Sequence, residues 1–337
     1  MVAVVGLSSC GAAGDQAQRR DLANLTVTTI SPPAPPAASP RLPEGLRVAF
    51  VSSSNGINDG GLNAQVVESV RRAAAGRGPE PAVFSSADQA DYAANLAAAA
   101  SQADVVIGLG AGMAGPMTDA ARAHRRTAFA LLDAPPGQPT LPNVRWLTFD
   151  TDQMVFLAGA ASAALSHHHA AGFVGGQKTA AQRALLQAFQ AGARFLDPGM
   201  AVVSAFVGGD NDQVTAKRLA QSLMGQNADV LFGSTFVNGL GVIAAASQAR
   251  RTAVGFERDE FLVAPNAVAT SVLKRTDVAA AAAIADELDG RRSGGRKLGM
   301  KDGAVGLAPF HTAGLIDPHL VQRLSEAERQ LSQGAIP

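Results

Sequence analysis

From Leu46 onward, short runs rich in Val, Ile and Phe alternate with longer alanine-rich stretches. This alternation constrains the fold more than any other feature. Apolar runs of about four to eight residues bounded by turn residues read as buried strands, and longer runs with an apolar stripe read as helices. Predicted strands fall at 47–52, 81–85, 104–109, 127–132, 144–149, 172–175, 201–207, 230–233, 253–256 and 269–273. Predicted helices fall between them at 62–75, 91–101, 116–124, 154–165, 181–195, 214–224, 240–248 and 278–288. Strand, helix, strand order demands parallel sheets covered on both faces, because each parallel connection must cross over the sheet. Ten strands exceed one such half, so the fold class is α/β with two doubly wound parallel-sheet lobes. Lobe 1 is read as 46–150 plus about 274–303, and lobe 2 as 151–273 plus about 304–337. Ligands in open α/β sheets bind outside the carboxyl ends of the strands, so a cleft is expected between the lobes.

Ahead of this body, Val2-Ala3-Val4-Val5-Gly6 leads into Leu7-Ser8-Ser9-Cys10. An aliphatic residue, two small residues and a cysteine stand in the order of a bacterial lipobox, so residues 1–10 read as the remnant of a lipoprotein signal peptide and Cys10 as the lipidated residue. The cationic start of a complete signal peptide is missing, so either the true start lies upstream or the match is chance. Residues 11–45 include Pro32-Pro33-Ala34-Pro35-Pro36 and read as a semi-rigid tether. No apolar run approaches the roughly 20 residues that cross a bilayer, so the expected membrane attachment is the lipid alone.

Composition removes other classes. The 28 basic and 28 acidic residues cancel, which leaves no electrostatic footprint for nucleic acid. Cys10 is the only cysteine, so an intrachain disulfide and a multi-thiolate metal site are excluded. Aromatics make up 5% of the chain, too few for a base-stacking platform of the single-strand-binding kind.

One motif points elsewhere. Gly110-Ala111-Gly112-Met113-Ala114-Gly115 follows a predicted strand and fits G-x-G-x-x-G, with Asp133 at the end of the next strand. Such glycines admit a pyrophosphate and such an acid binds a ribose hydroxyl, so an NAD(P)-dependent oxidoreductase built on Gly110, Gly112, Gly115 and Asp133 is the alternative. Against it, the turn sits in the third βα unit, and 35 glycines make chance matches common. His167-His168-His169 reads as a solvated helix end, because adjacent side chains diverge and no second cluster completes a metal site. No nucleophile elbow, Walker loop or zinc-protease motif occurs. No metal or cofactor and no enzymatic reaction is therefore expected.

Seven segments in order along the chain carry a resemblance: Phe156-Leu157-Ala158-Gly159, Gly172-Phe173-Val174-Gly175-Gly176, Ala188-Phe189-Gln190-Ala191-Gly192, Gly239-Leu240-Gly241-Val242-Ile243, Ala264-Pro265-Asn266, Thr270 through Arg275, and Lys301 through Leu307. Through them the chain, from Leu46 to Pro337, resembles the basic membrane protein family of substrate-binding lipoproteins, which serve ABC importers and include purine nucleoside receptors. The resemblance implies the type I periplasmic-binding fold, two lobes closing by hinge motion on a small polar ligand, and an ABC permease as partner.

It also implies site residues. Asn58, Asp59 and Asn63 match polar positions of the family's first loop; Ser53 stands where nucleoside receptors carry an aspartate and Leu62 where they carry a stacking phenylalanine. Asp210, followed by Asn211, takes the second aromatic position, Glu257 replaces a ribose-gripping aspartate, and Lys274 is retained. Phe236, just before an Asn238-Gly239 turn, offers a replacement ring. The reading is an extracytoplasmic, lipid-anchored solute receptor for a nucleoside-like molecule, or for another polyhydroxylated or cationic solute suited to an acidic cleft. A sensor or regulatory lipoprotein on the same fold is a further alternative.

Overall fold

A computed structural model describes residues 40–311, except 55, 58 and 60, and residues 318–336. Cys10, Asn58 and most of the stretch read as a tether lie outside the described residues. Leu42, inside that stretch, is buried, and its N–H donates to the Ala73 carbonyl at 3.0 Å, so the packed body begins before Leu46.

Two six-stranded sheets carry the fold. In the first, β1 (Val48–Val51), β2 (Ala82–Phe84), β3 (Val105–Leu109), β4 (Ala128–Leu132), β5 (Val144–Phe149) and β11 (Gly294–Leu298) lie in the order β11-β5-β4-β3-β1-β2, all parallel. In the second, β6 (Ala170–Gly175), β7 (Ala201–Phe206), β8 (Val230–Gly233), β9 (Thr252–Glu257), β10 (Val268–Lys274) and β12 (Val305–Leu307) lie in the order β12-β10-β9-β8-β6-β7. Only the β10–β12 pair is antiparallel. The helices are α1 (Leu62–Ala74), α2 (Asp91–Gln102), α3 (Ala114–Ala123), α4 (Thr151–Leu165), α5 (Ala180–Leu196), α6 (Gln213–Met224), α7 (Phe236–Ala249), α8 (Thr276–Leu288) and α9 (Pro318–Ser332). The chain passes between the sheets after β5, after β10 and after β11.

The central strands β1, β3, β4, β6 and β8 are buried residue for residue, as two-sided coverage requires. β11 was not expected, because its charged Arg296 and Lys297, the first half-buried and the second exposed, hide an edge strand from an apolar-run reading. β12 has three residues, too few to read. α9 was also not expected, although Val321, Leu324, Ala327 and Leu331 are buried at helical spacing against α4 and α5. The Asn238-Gly239 pair was read as a turn and is instead inside α7. Gly239 lies against Gly233 of β8, and Asn238 bridges the 209–212 loop, so packing overrides the local turn preference of both residues.

Two segments of the sequence resemblance are a packing device. α4 and α5 cross so closely that a Cβ on Gly159 would stand 2.0 Å from the Phe189 carbonyl oxygen, and one on Gly192 would stand 1.9 Å from that of Phe156. The aromatic side chains beside these glycines went into the core. Phe173, Phe189, Phe232 and Phe256 form a chain of ring contacts under the second sheet, with centroids 5.4–6.0 Å apart. Most of the sparse aromatic content is therefore spent on stability.

Candidate functional site

Strand order reverses between β1 and β3 in the first sheet and between β6 and β8 in the second, which is where α/β sheets open a crevice at their carboxyl ends. The loops after β1, β3 and β4 face those after β7, β8 and β9 across a cavity of about 410 Å³. Ser53, Asp59, Leu62, Leu109, Gly110 and Asp133 form one wall, and Asn211, Phe236, Val237, Glu257 and Arg258 the other. Both lobes are thus needed to make the site.

At its base Lys274, the last residue of β10, is 95% buried. Its ammonium lies 2.9 Å from Asp133 Oδ2 and 2.6 Å from Glu257 Oε1, joining a residue of each lobe. Burial alone would depress the lysine's pKa, but the two carboxylates override it and hold it above the ordinary lysine value. Asp133 and Glu257 both adopt left-handed backbone, with φ of 58° and 69°, a costly conformation for residues with a Cβ. Each spends one carboxylate oxygen on Lys274, and the trio carries a net negative charge toward the cavity. Such a base accepts hydroxyl donors.

The rim is built from the α1 entry. Asp59 accepts the backbone N–H groups of Gly61, Asn63 and Ala64 at 2.9–3.2 Å, neutralising donors that the helix start leaves open. Asn63 is fully buried; its Oδ1 accepts the Ser53 N–H at 2.9 Å, and its Nδ2 donates to Ser53 Oγ at 2.8 Å. Asn63 therefore holds the loop that presents Ser53, rather than facing the cavity. Asn238 acts likewise, accepting the Asp212 N–H and donating to the Gly209 carbonyl, which positions Asn211. Asp210 turns its carboxylate to the Gln177 N–H and, like Gly239 and Lys274, does not line the cavity.

Arg258 was not anticipated. Its guanidinium carbon lies 4.4 Å from the centroid of Phe236, and its Nη1 donates to the Asp59 carbonyl at 3.1 Å across the cleft. A Cβ on Gly61 would approach that Nη1 to 3.1 Å, so the glycine keeps the arginine's place open. Leu109 and Val237 were also unread. Position gives the available signal for all three: each ends or directly follows a strand, or opens a helix, at the crevice.

Of the glycine fingerprint, only Gly110 and Asp133 reach the cleft. A Cβ on Gly112 would meet the Gln89 amide at 3.1 Å, and Gly115 lies beside Ala93 and Asp119 on the α2–α3 face. With Asp133 already bound to Lys274, the elements of a dinucleotide cradle are not assembled here. Of the histidine triplet, His167 and His168 give their backbone N–H groups to Asp229, and His169 pairs with Asp197 at 2.6 Å. Among the described residues no group of His, Cys, Asp or Glu could hold a metal.

Two α/β lobes with a cavity between facing strand ends form the periplasmic-binding type of fold. A solute-binding protein of an ABC transporter system from Conexibacter woesei has the same fold, with a TM-score of 0.70 and 20% identity over 87% of this chain and 98% of that one. In sequence, the chain is 28% identical to basic membrane protein D of Borreliella burgdorferi over 49% of its own length and 50% of that protein's. It is 25% identical to the ABC transporter nucleoside-binding protein BmpA of Lactococcus lactis over 60% and 58% of the two lengths. The matches thus span about half the length of these relatives. The family of PnrA-like ABC transporter substrate-binding proteins matches residues 46–332, and the chain belongs to it.

Proposed function

We propose that this chain is the extracytoplasmic receptor of an ABC importer, holding a nucleoside-like solute between its lobes and passing it unaltered to a permease. The observation that carries the reading is the Asp133–Lys274–Glu257 base, in which both lobes contribute carboxylates suited to the hydroxyls of a sugar. Leu62, Val237 and Phe236 supply apolar surface on opposite walls for a flat base. The name of the Lactococcus lactis relative points to the same ligand class. Because the ligand would touch both walls, it stabilises the closed arrangement through its differential affinity, and hinge closure follows. The anchor in this reading is a lipid on Cys10, outside the described residues; no described helix is long and apolar enough to cross a membrane.

Thermal unfolding of the purified chain with adenosine, inosine, guanosine, uridine, ribose and spermidine tests the ligand class. A nucleoside at a hundred times its Kd raises stability by about 2.7 kcal/mol. A response to ribose or spermidine with none to any nucleoside overturns the reading. Cys10→Ser tests the anchor separately: the variant leaves the membrane fraction, and unchanged retention there overturns lipidation.

A further inference from the structure

This inference deepens the nucleoside reading and rests on it. Among the described residues, Arg258 is the one cationic side chain lining the cavity, and no carboxylate forms an ion pair with it. Asp59 offers it only a backbone carbonyl, its carboxylate being committed to the start of α1, and Glu260 is close enough to feel its charge without pairing with it. Guanidinium has five N–H donors and no acceptor; one is used on Asp59, which leaves four without a partner among the described residues. Phe236 under the guanidinium and the Asp59 carbonyl at its edge restrict how it can turn.

The cavity is therefore divided by hydrogen-bonding sense. Its base, at Asp133 and Glu257, takes donors, whereas Arg258 takes acceptors. A nucleoside satisfies both with its ribose hydroxyls on the carboxylates and the base's acceptor edge toward Arg258. A 6-oxopurine presents a carbonyl oxygen next to N7, the acceptor pair by which arginine reads guanine. A 6-aminopurine puts an N–H donor against the guanidinium and leaves both groups unsatisfied. We propose that Arg258 makes this cleft selective for 6-oxopurine nucleosides over adenosine.

Calorimetric titration of the full chain with inosine, guanosine and adenosine tests it, alongside Arg258→Met, which keeps an apolar stem over Phe236, and Arg258→Lys, which keeps the charge without the fork. The wild type binds inosine and guanosine at least about tenfold more tightly than adenosine, the factor equivalent to about 1.4 kcal/mol. Arg258→Met removes most of that ratio by weakening inosine more than adenosine, and Arg258→Lys falls between; cooperative melts establish that each variant is folded. Equal wild-type affinities, a preference for adenosine, or a ratio that survives Arg258→Met in a folded variant overturns the selectivity while leaving the nucleoside reading standing. If inosine 5′-monophosphate binds more tightly than inosine and Arg258→Met abolishes that gain, Arg258 reads phosphate and the proposal fails. Absence of binding by all three nucleosides, with a folded wild type, fails the nucleoside reading itself and this inference with it.

Discussion

Lys274 Nζ lies 2.9 Å from Asp133 Oδ2, across 141 residues of sequence and from one lobe to the other. The same ammonium touches Glu257, so a single buried cation compensates two carboxylates. Lys274→Met leaves both without a partner at the base of the cleft. Because the carboxylates are 33% and 20% exposed, water relieves part of the penalty, and the expected loss is about 2–3 kcal/mol, below that for a fully buried pair. Urea unfolding measures it, and an unchanged midpoint refutes the account.

Gly159→Ala or Gly192→Ala destabilises the chain by at least about 2 kcal/mol, because the added methyl meets a backbone carbonyl that cannot swing away. Helix propensity favours alanine by about 1 kcal/mol, so the sign of the change reports the crossing of α4 and α5 directly. Gly209→Ala is the control: nothing lies within 4 Å of its Cβ position and its φ is not left-handed, so it raises stability by about 0.5 kcal/mol. Denaturation midpoints that move together in all three variants contradict this.

Glu260 is buried behind the β9 loop, with one carboxylate oxygen on the Phe256 N–H and the other without a partner. Burial pushes its carboxyl up from 4.5 to about 7. A raised carboxyl pKa means the folded chain binds the proton more tightly than the unfolded chain. The stability it contributes is complete below about pH 4.5 and is lost as pH rises through about 7. Thermal melts therefore fall between pH 5 and pH 8, and Glu260→Gln flattens that fall; superimposable profiles for the two proteins exclude the assignment.

Asp286 sits with its side chain 1% exposed among Arg145 of β5, Arg296 of β11 and Arg291. It ties the otherwise weakly apolar β11 to the first sheet through α8. Asp286→Ala leaves Arg145 half-enclosed without a counter-charge and costs about 2–3 kcal/mol. Faster amide exchange should appear first along 294–298, and uniform acceleration throughout the sheet argues against this role.

Asp59→Ala removes the acceptor of three N–H groups at the α1 entry and lowers stability by about 1–2 kcal/mol. Inosine titration of this variant shows weaker binding as well, because the same loop presents the carbonyl that fixes Arg258. Stability and affinity both unchanged would show that the cap is dispensable.

Much of the fold was legible because its central strands are buried on both faces and had to be written as Val, Ile, Leu and Phe runs, and most of its helices carry an apolar stripe. The edge was not legible: β11 reads Gly-Gly-Arg-Lys-Leu, and only its pairing to β5 and the Asp286 ion pairs make it a strand. The site was legible as a set of loops, and Ser53, Asp59, Leu62, Asn211, Phe236 and Glu257 do line the cavity. Residue types did not reveal that Asn63 and Asn238 are brackets, since a buried amide that holds a loop and one that holds a ligand look alike in sequence.

The amino-acid sequence by itself determined the two α/β lobes, because strand and helix follow from the spacing of neighbouring side chains. Only the tertiary structure decided which groups meet in the cleft. Asp59 and Arg258 are 199 residues apart, and Asp133 and Lys274 are 141. No local periodicity encodes such pairings; they arise when the strand ends of two separately wound sheets are brought face to face.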